Sequence, residues 1–327
     1  MSSEEFHFAF GVDADYAKYA GIVMTSIVLQ HPGHPVSFHL AVDRLLPEDQ
    51  ARFDDFTRLY RGTKIHIYDT TNVMASLPVP RAADGVPERL NRTVFLRILL
   101  PDFLPPAIRR IVYLDADLLC IGSLESLWQT ALDGAILAAV PYAPEAAADH
   151  CRRLRLRNSR YFNAGVMLID TAAWRKARLT QRVLELCRTQ PKRLLMLEQD
   201  ALNCLLADEP AAVAALPPAC NHMLNAFLPR DAQPAEGDVL LHFANEGKPW
   251  YHGAAEPIRS LWQSYVQRSL WYGLPELEPA DVKTAFLAGK NAEARGDYQE
   301  AAHYLGLAAD RLMQYFLEQT GQLPKKE

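Results

Sequence analysis

Cysteine is scarce in this chain, and its spacing excludes two kinds of site. The 327 residues include five cysteines, an odd number, at positions 120, 151, 187, 204 and 220. None belongs to a Cys-x-x-Cys pair, so the sequence predicts neither a zinc cluster nor a redox pair. The pattern also predicts no disulfide framework. Reduced thiols of this kind are typical of a cytoplasmic protein.

An excess of basic charge and long apolar runs are also missing. The chain carries 34 Lys and Arg against 39 Asp and Glu, a net charge of −5. Phosphate backbones require a clear positive excess, so we expect no nucleic acid partner. No stretch approaches the roughly 20 apolar residues that cross a bilayer, and residues 1–5 lack the features of a signal peptide. We expect no transmembrane segment, while peripheral association with the inner face of a membrane stays open.

Glycine-rich nucleotide motifs are absent, whereas alternating strand and helix patterns are plentiful. Neither Gly-x-Gly-x-x-Gly nor a P-loop occurs, which excludes the usual dinucleotide and NTP sites. The alternation over the first 140 residues predicts an α/β fold with a mostly parallel, doubly wound sheet. Residues 71–87 are rich in Pro, Ala and Gly and predict a surface loop. Residues 161–170 predict a polar turn followed by a further strand. The predicted strands cover residues 6–12, 37–42, 64–68, 110–114, 135–140 and 239–243.

Two carboxylates, Asp115 and Asp117, end the apolar strand predicted at residues 110–114. Open α/β sheets bind their ligands at the carboxyl ends of such strands. Closely spaced carboxylate oxygens suit Mn²⁺ or Mg²⁺ held against a phosphate. Two solvated acids at a strand end are the alternative interpretation.

Two other charged segments can each be interpreted in more than one way. Residues 151–160 contain five arginines, which indicate either a solvated helix face or a patch that meets phosphate on a donor or an anionic acceptor. Glu198, Gln199 and Asp200 open a helix predicted at residues 201–207, where acids are favoured by the helix N-terminus. Simple helix caps are the alternative for these acids.

The C-terminal part of the chain has a helical pattern. From residue 256 onward we predict helices, with two of them at residues 282–316 joined at Gly296-Asp297-Tyr298. This pair is similar to a single tetratricopeptide-type hairpin, and a packing appendage is the alternative. The predicted domains are residues 1–255 and residues 256–327.

Several motifs between residues 6 and about 250 together resemble the retaining glycosyltransferases of family 8. That group includes bacterial lipopolysaccharide galactosyl- and glucosyltransferases, and the motifs stand here in the family's order. The resemblance carries no residue beyond 260. The motifs are residues 10–16, Arg97, Tyr113-Leu114-Asp115-Ala116-Asp117, Phe162-Asn163-Ala164-Gly165-Val166, Glu198-Gln199-Asp200, and His242 with Lys248.

The resemblance implies a GT-A fold, a Rossmann-like mixed sheet flanked by helices, and a UDP-hexose donor bound with Mn²⁺ or Mg²⁺. It implies a hexosyltransferase that moves galactose or glucose to a glycan hydroxyl, in lipopolysaccharide or other surface-glycan synthesis. By resemblance the metal ligands are Asp115, Asp117 and His242. The catalytic group is Glu198, Gln199 and Asp200, with Gln199 beside the anomeric carbon. The donor-binding positions are Gly11, Val12, Asp13 (on the uracil), Asp15, Tyr16, Arg97, Asp115, Ala116, Asp117, Asn163, Ala164, Gly247 and Lys248.

Three positions depart from the family pattern. Asp15 stands where many relatives have Asn, and Glu198 replaces an Asp that is common in bacterial members. Asn245 replaces a glycine. This change narrows the backbone approach to phosphate unless Asn245 adopts a left-handed conformation, and Gly247 offers partial compensation.

No well-placed nucleophile is evident in the sequence, which favours a front-face transfer over a double displacement.

Two other functions fit parts of the same pattern. A metal-dependent hydrolase of a phosphate ester or nucleotide sugar would also use Asp115 and Asp117, but it gives the Asn163-Ala164-Gly165 segment no role. A non-catalytic scaffold in a glycan-assembly complex would use the C-terminal helices to hold a partner. Intact candidate metal and phosphate residues favour catalysis over that scaffold.

Overall fold

The computed structural model describes residues 4–78, 92–157 and 160–320. Strands and helices alternate along the chain as predicted, followed by helices at the C-terminal end. The strands are β1 (Phe6–Val12), β2 (Val36–Val42), β3 (Thr63–Asp69), β4 (Arg110–Leu114), β5 (Leu118–Cys120), β6 (Leu137–Pro141), β7 (Phe162–Asp170), β8 (Val213–Ala215), β9 (His222–Met223) and β10 (Leu240–His242). The helices are α1 (Ala17–Gln30), α2 (Pro47–Leu59), α3 (Thr71–Met74), α4 (Leu96–Phe103), α5 (Glu125–Trp128), α6 (Pro144–Leu154), α7 (Thr171–Lys176), α8 (Leu179–Thr189), α9 (Leu197–Leu206), α10 (Ile258–Gln267), α11 (Val282–Ala294) and α12 (Tyr298–Gln319).

A seven-stranded mixed sheet forms the centre of the first compact unit, with the strand order β3-β2-β1-β4-β7-β6-β8. Four strand pairs are parallel, namely β1 with β2, β1 with β4, β2 with β3, and β6 with β8. The two antiparallel pairs both involve β7. The chain moves outward from β1 to β3 and then returns to β4 on the other side of β1. That reversal is a topological switch point, where α/β sheets bind ligands at the carboxyl ends of their strands.

Gly11 allows helix α4 to pack closely on strand β1. A Cβ atom at Gly11 would lie 2.6 Å from the Cβ of Leu96, a distance that real Cβ atoms do not tolerate. Leu96 begins α4 and is fully buried in the core, beside buried Ile98 and Leu100. The close packing therefore fixes the position of Arg97, the next residue of α4.

Three sequence predictions differ from the structure. Residues 71–74 form α3, so the predicted loop at residues 71–87 is wrong there, and its residues 79–87 lie outside the described residues. The polar turn predicted within residues 161–170 is wrong, because β7 already begins at Phe162 and continues to Asp170. The helix predicted from residue 201 begins at Leu197, which places the acidic triplet inside its first turn.

The second compact unit contains the described residues of Met223–Glu236 and Leu241–Glu327, while the first contains those of Met1–His222 and Gly237–Leu240. In the second unit α11 and α12 form the predicted helical hairpin. Small side chains on α11 allow close packing, and a Cβ at Gly289 would lie 2.7 Å from Leu305. Asn291 of α11 donates to the backbone oxygens of Phe227 and Gly253, at 3.1 and 3.0 Å. The domain boundary at residue 255 stays a prediction.

Two predicted absences can be compared with the structure. All five cysteines lie in the described part of the chain and are free thiols, as predicted. Among the described helices, none has the length and apolar character needed to cross a membrane.

Candidate active site

Asp115 follows strand β4 at the switch point and is held by three groups. Its Oδ1 accepts a hydrogen bond from the hydroxyl of Tyr113 at 2.8 Å and lies 3.0 Å from Nη2 of Arg97. Its backbone N–H donates to the carbonyl of Gly165 in β7 at 2.8 Å. Burial, then the charge of Asp115, raises the pKa of Tyr113 well above its usual value, so this phenol stays a neutral donor. Asp115 and Asp117 are both half-buried.

Arg97 joins the Asp115 motif to the acidic triplet of α9. Its side chain is only 12% exposed and makes ion pairs with Asp115 and, from Nε to Oε1 at 3.3 Å, with Glu198. The guanidinium also lies over the Tyr113 ring, 5.4 Å from the centroid. Burial opposes the charge of Arg97, but Asp115, Tyr113 and Glu198 outweigh it and raise its pKa above the ordinary value. Arg97 is therefore a permanent cation between two carboxylates.

Glu198 is buried with incomplete hydrogen bonding. The 3.3 Å contact with Arg97 meets the distance of an ion pair, yet Nε of Arg97 lacks a hydrogen bond of good geometry. The contact is therefore an ion pair without a directional hydrogen bond. Among the described residues, Oε2 of Glu198 also has no hydrogen-bond partner. Burial raises the pKa of Glu198 to about 7, against the opposing effect of Arg97. Leu197, just before it, has a φ of 47°, an unusual left-handed conformation for a leucine.

Asp200 is fully buried and fully hydrogen-bonded. Arg153 donates to it from Nη1 at 2.8 Å and from Nη2 at 3.1 Å. The hydroxyl of Tyr161 donates at 2.7 Å, and the backbone N–H of Met196 donates at 2.9 Å. Burial, followed by the charge of Asp200, raises the pKa of Tyr161, so its hydroxyl remains a donor. One arginine of the predicted phosphate patch, Arg153, is thus committed to an internal ion pair, and that part of the patch interpretation is wrong.

Gln199 and Asn203, one turn apart on α9, hold the beginning of β7. The Gln199 side-chain oxygen accepts from Nδ2 of Asn163 at 3.2 Å and from the backbone N–H of Ala164 at 2.9 Å. Its Nε2 donates to the Tyr161 hydroxyl at 2.9 Å. Asn203 exchanges hydrogen bonds with both backbone groups of Phe162. Side chains thus act as pairing partners for the strand, which explains why β7 includes the predicted turn.

The end of β1 and the loop that leads to α1 carry the five predicted base-binding positions. Gly11 and Val12 end β1, and Oδ1 of Asp13 accepts from the backbone N–H groups of Asp15 at 3.1 Å and Tyr16 at 3.0 Å. Asp15 is exposed, and Tyr16 is 37% exposed with its ring against Tyr19. Asp13 therefore shapes this loop. Its predicted contact with uracil stays a prediction.

In the second unit, His242 and Lys248 are both buried. His242 ends β10 and accepts at its backbone oxygen from the N–H of Leu224, at 2.8 Å. The Lys248 ammonium donates to the backbone oxygen of Phe243 and lies 6.0 Å from the centroid of the Trp250 ring. The hydrogen bond to Phe243 therefore holds the Lys248 side chain in a defined position.

Gly247 and Asn245 can be compared with the predicted phosphate loop. A Cβ at Gly247 would lie 2.3 Å from Oδ1 of Asn225, so a larger residue there would displace the Asn225 side chain. Asn245 is not among the described residues with a positive φ, so the left-handed conformation considered for it is not adopted. Gly247 is therefore needed for close packing on Asn225.

Sequence reasoning identified Arg97, Asp115, Asn163, Gln199 and their neighbours, and the structure brings these into one buried network. It missed four residues of that network, and two of them carried a usable signal. Asn203 follows Gln199 by four residues and therefore lies on the same face of α9. Tyr113 lies two residues before Asp115 in a run of buried residues. The residues that received no role in this network from the sequence are Tyr113 (named only as part of the strand-end motif), Arg153, Tyr161 and Asn203.

Comparison with known proteins identifies the family of this chain. The sequence model described as Glycosyl transferase family 8 matches residues 7–254, most of the chain. The chain belongs to glycosyl transferase family 8. It is similar to a lipopolysaccharide 1,3-galactosyltransferase of Salmonella typhimurium, with 25% identity covering 92% of this chain and 90% of that protein. A lipopolysaccharide 1,2-glucosyltransferase of Escherichia coli is also 25% identical, covering 86% of this chain and 83% of its own.

Other relatives of this family 8 chain broaden the range of sugars. A probable galacturonosyltransferase-like protein of Arabidopsis thaliana is 30% identical over 79% of both chains. Among solved structures, the galactosyltransferase LgtC, with donor and acceptor sugar analogues, superposes with a TM-score of 0.68 at 20% identity. That match covers 81% of this chain and 96% of LgtC. The predicted family and the GT-A fold are confirmed, and the family 8 chain is a glycosyltransferase.

Proposed function

We propose that this chain is a retaining hexosyltransferase that moves galactose or glucose from UDP to a hydroxyl of a glycan acceptor, with Mn²⁺ or Mg²⁺. The observation that carries this proposal is the Arg97 bridge, which ties Asp115 of the strand-end motif to Glu198 of the acidic triplet. Relatives named as lipopolysaccharide galactosyl- and glucosyltransferases support hexose donors and a surface-glycan acceptor. A cytoplasmic location and peripheral membrane association stay predictions.

The residues present fit a divalent cation. The proposed ligands are Asp115, Asp117 and His242, and two carboxylates with one imidazole are an acceptable set for Mn²⁺. The side chain of Asp115 is 18% exposed and is oriented by Tyr113, as expected of a ligand fixed by its neighbours. When bound, the cation supplies charge neutralisation for the departing diphosphate.

The chain's own residues would bind and orient the donor. We assign Gly11, Val12, Asp13, Asp15 and Tyr16 to the uracil and ribose, and Ala116, Gly247 and Lys248 to the diphosphate. Arg97, Asn163 and Ala164 would orient the sugar. Glu198 is the acid best suited to accept from a sugar hydroxyl, because one of its oxygens has no protein hydrogen bond among the described residues.

A front-face transfer agrees with how Gln199 and Asp200 are held. Gln199 accepts twice through its oxygen, and Asp200 is fully buried under four donated hydrogen bonds. A nucleophile needs an accessible lone pair aimed at the anomeric carbon, which these contacts oppose. We propose that the departing phosphate oxygen accepts the proton of the incoming hydroxyl while Gln199 and Asp200 position β7 and α9.

The test is transfer from UDP-galactose and UDP-glucose to lipopolysaccharide core acceptors, with Mn²⁺ or with EDTA, followed by NMR of the new linkage. We expect cation-dependent product with the α configuration of the donor. Asp117→Asn should abolish turnover. Asp133→Asn, the same change at an exposed turn residue, should not.

The alternatives give different results in the same assay. Free sugar released at full rate without acceptor would indicate a hydrolase. UDP binding by calorimetry without turnover on any donor would indicate a scaffold. Inverted product would contradict retention while leaving the family assignment intact.

A further inference from the structure

Helix α12 exposes large apolar side chains at its C-terminal half. Leu312, Met313 and Phe316 are 56%, 59% and 57% exposed. The opposite face of the helix is buried at Tyr304 and Ala308, where α12 packs on α11. Several large apolar groups exposed side by side indicate a contact surface, because scattered single residues are the usual case.

The exposed face follows the spacing of a helix–helix seam. Its residues recur at alternating intervals of four and three, the pattern of a heptad seam. All five are exposed, and a Cβ built at the glycine would meet no heavy atom within 4 Å. We name this set the α12 seam: Ala302, Gly306, Ala309, Met313 and Phe316.

The α12 seam is complementary to itself in the antiparallel direction. Its first half is small (Ala302, Gly306) and its second half is large (Met313, Phe316), with Ala309 at the middle. In an antiparallel pair, Met313 of one copy faces Gly306 of the other, and Phe316 faces Ala302. A parallel pair would oppose large to large and leave a gap at the glycines. Close packing requires large side chains to meet small ones.

Charge on α12 argues against an anionic lipid surface as the partner. The helix carries Arg311 against Glu300, Asp310 and Glu318, so its net charge is −2. Arg311 also donates to the backbone oxygen of Pro279. Helices that lie on membranes carry Lys and Arg on the polar face, which α12 does not.

We propose that α12 forms an antiparallel contact with α12 of a second copy of this chain, through the α12 seam. A tetratricopeptide-type hairpin buries its outer face by stacking on another hairpin, and a second copy supplies one. A single helix pair covers less than a standard interface, so the dimer is weak and depends on protein concentration. The proposal is independent of the function proposed above.

Sedimentation velocity of the full chain, from low micromolar to several hundred micromolar protein, tests the proposal. We expect a monomer that shifts to a dimer as concentration rises. Met313→Glu should weaken association by about tenfold or more, because it buries a charge in the seam. Leu59→Glu, at a leucine that is 58% exposed on α2, is the matched control and should leave association unchanged.

Gly306→Leu distinguishes the specific seam from non-specific apolar association. Leucine favours the helix and adds apolar surface, so a face that associates non-specifically would associate more strongly in this variant. In the antiparallel seam it collides with Met313 of the second copy, and the dimer weakens. Ala309→Cys should form a disulfide between copies, because this position lies nearest the two-fold axis.

Four outcomes would overturn the proposal. The first is a wild-type chain that stays monomeric at all concentrations, and the second is tighter association of Gly306→Leu. The third is dimerisation that appears only after removal of residues 321–327, which would assign the face to that segment. Flotation of monomeric protein with phosphatidylglycerol–phosphatidylethanolamine vesicles, lost in Met313→Glu, would assign the face to a membrane instead.

Discussion

Glu198 and Asp200 lie two residues apart on the first turn of α9, and both are buried, yet their surroundings differ. Asp200 accepts four hydrogen bonds, two of them from Arg153. Glu198 has one cation at 3.3 Å and an oxygen with no hydrogen bond among the described residues. A buried carboxylate that is fully bonded stabilises the fold, whereas one that is partly bonded lowers stability unless a ligand completes it. The contrast separates an acid that stabilises the fold from one that we propose binds the sugar.

Asp200→Asn is the strongest test of the structural side. We expect it to lower the free energy of unfolding by roughly 3–5 kcal/mol, because it leaves the Arg153 charge partly buried without its partner. Urea denaturation followed by circular dichroism measures the loss. Asp149→Asn removes a carboxylate from an ion pair whose side chains are 89% and 78% exposed, and it should change little. Equal stability of the two variants would contradict the assignment of Asp200.

Glu198→Gln tests the partly bonded acid through the pH dependence of the free energy of unfolding. The folded-state pKa of Glu198 is raised from 4.5 to about 7, so the folded form binds its proton more tightly than the unfolded form. Stability from this group is therefore present below pH 4.5 and lost as pH rises through 7. We expect Glu198→Gln to resemble wild type at pH 5 and to exceed it at pH 8.5 by up to about 3 kcal/mol.

Urea denaturation in EDTA at both pH values measures that difference. Exposed Glu145→Gln is the control and should show no such pH dependence. If Glu198→Gln is less stable than wild type at pH 8.5, the Arg97 ion pair outweighs burial, and the contrast with Asp200 disappears.

Tyr161→Phe gives the smallest expected effect and sharpens the comparison. The hydroxyl bridges Gln199 and Asp200, but Asp200 keeps three other donated hydrogen bonds. We expect a loss of roughly 1 kcal/mol in the free energy of unfolding. Tyr272→Phe, at a 70% exposed tyrosine, is the control and should be neutral by the same denaturation measurement. A loss as large as that of Asp200→Asn would mean that Tyr161 holds the network.

The longer strands could be predicted because their signals are local, whereas no prediction covers the short strands β5, β8 and β9. An alternating apolar run predicted β1, and a continuous apolar run predicted β4. The Asp115 motif could be placed at a sheet edge for the same reason. These features depend on residues that are neighbours in the chain.

The polar network could not be predicted because its contacts join distant positions. Arg153 and Asp200 are 47 residues apart and meet only once α6 and α9 have packed. A run of arginines looks the same in sequence whether its members face solvent or a buried acid. The start of β7 was missed for a related reason, since Phe162 pairs with Pro141 of β6 and is held on its backbone groups by the distant Asn203 side chain.

Gly11 has a consequence for how this protein can change through evolution or design. A single added methyl at position 11 would press on Leu96, and Arg97 follows Leu96 directly in the helix. Because Arg97 contacts both Asp115 and Glu198, the disturbance would reach two carboxylates that are far from position 11 in the chain. Positions 11 and 96 are therefore expected to covary, and libraries that diversify the β1 end should randomise both together.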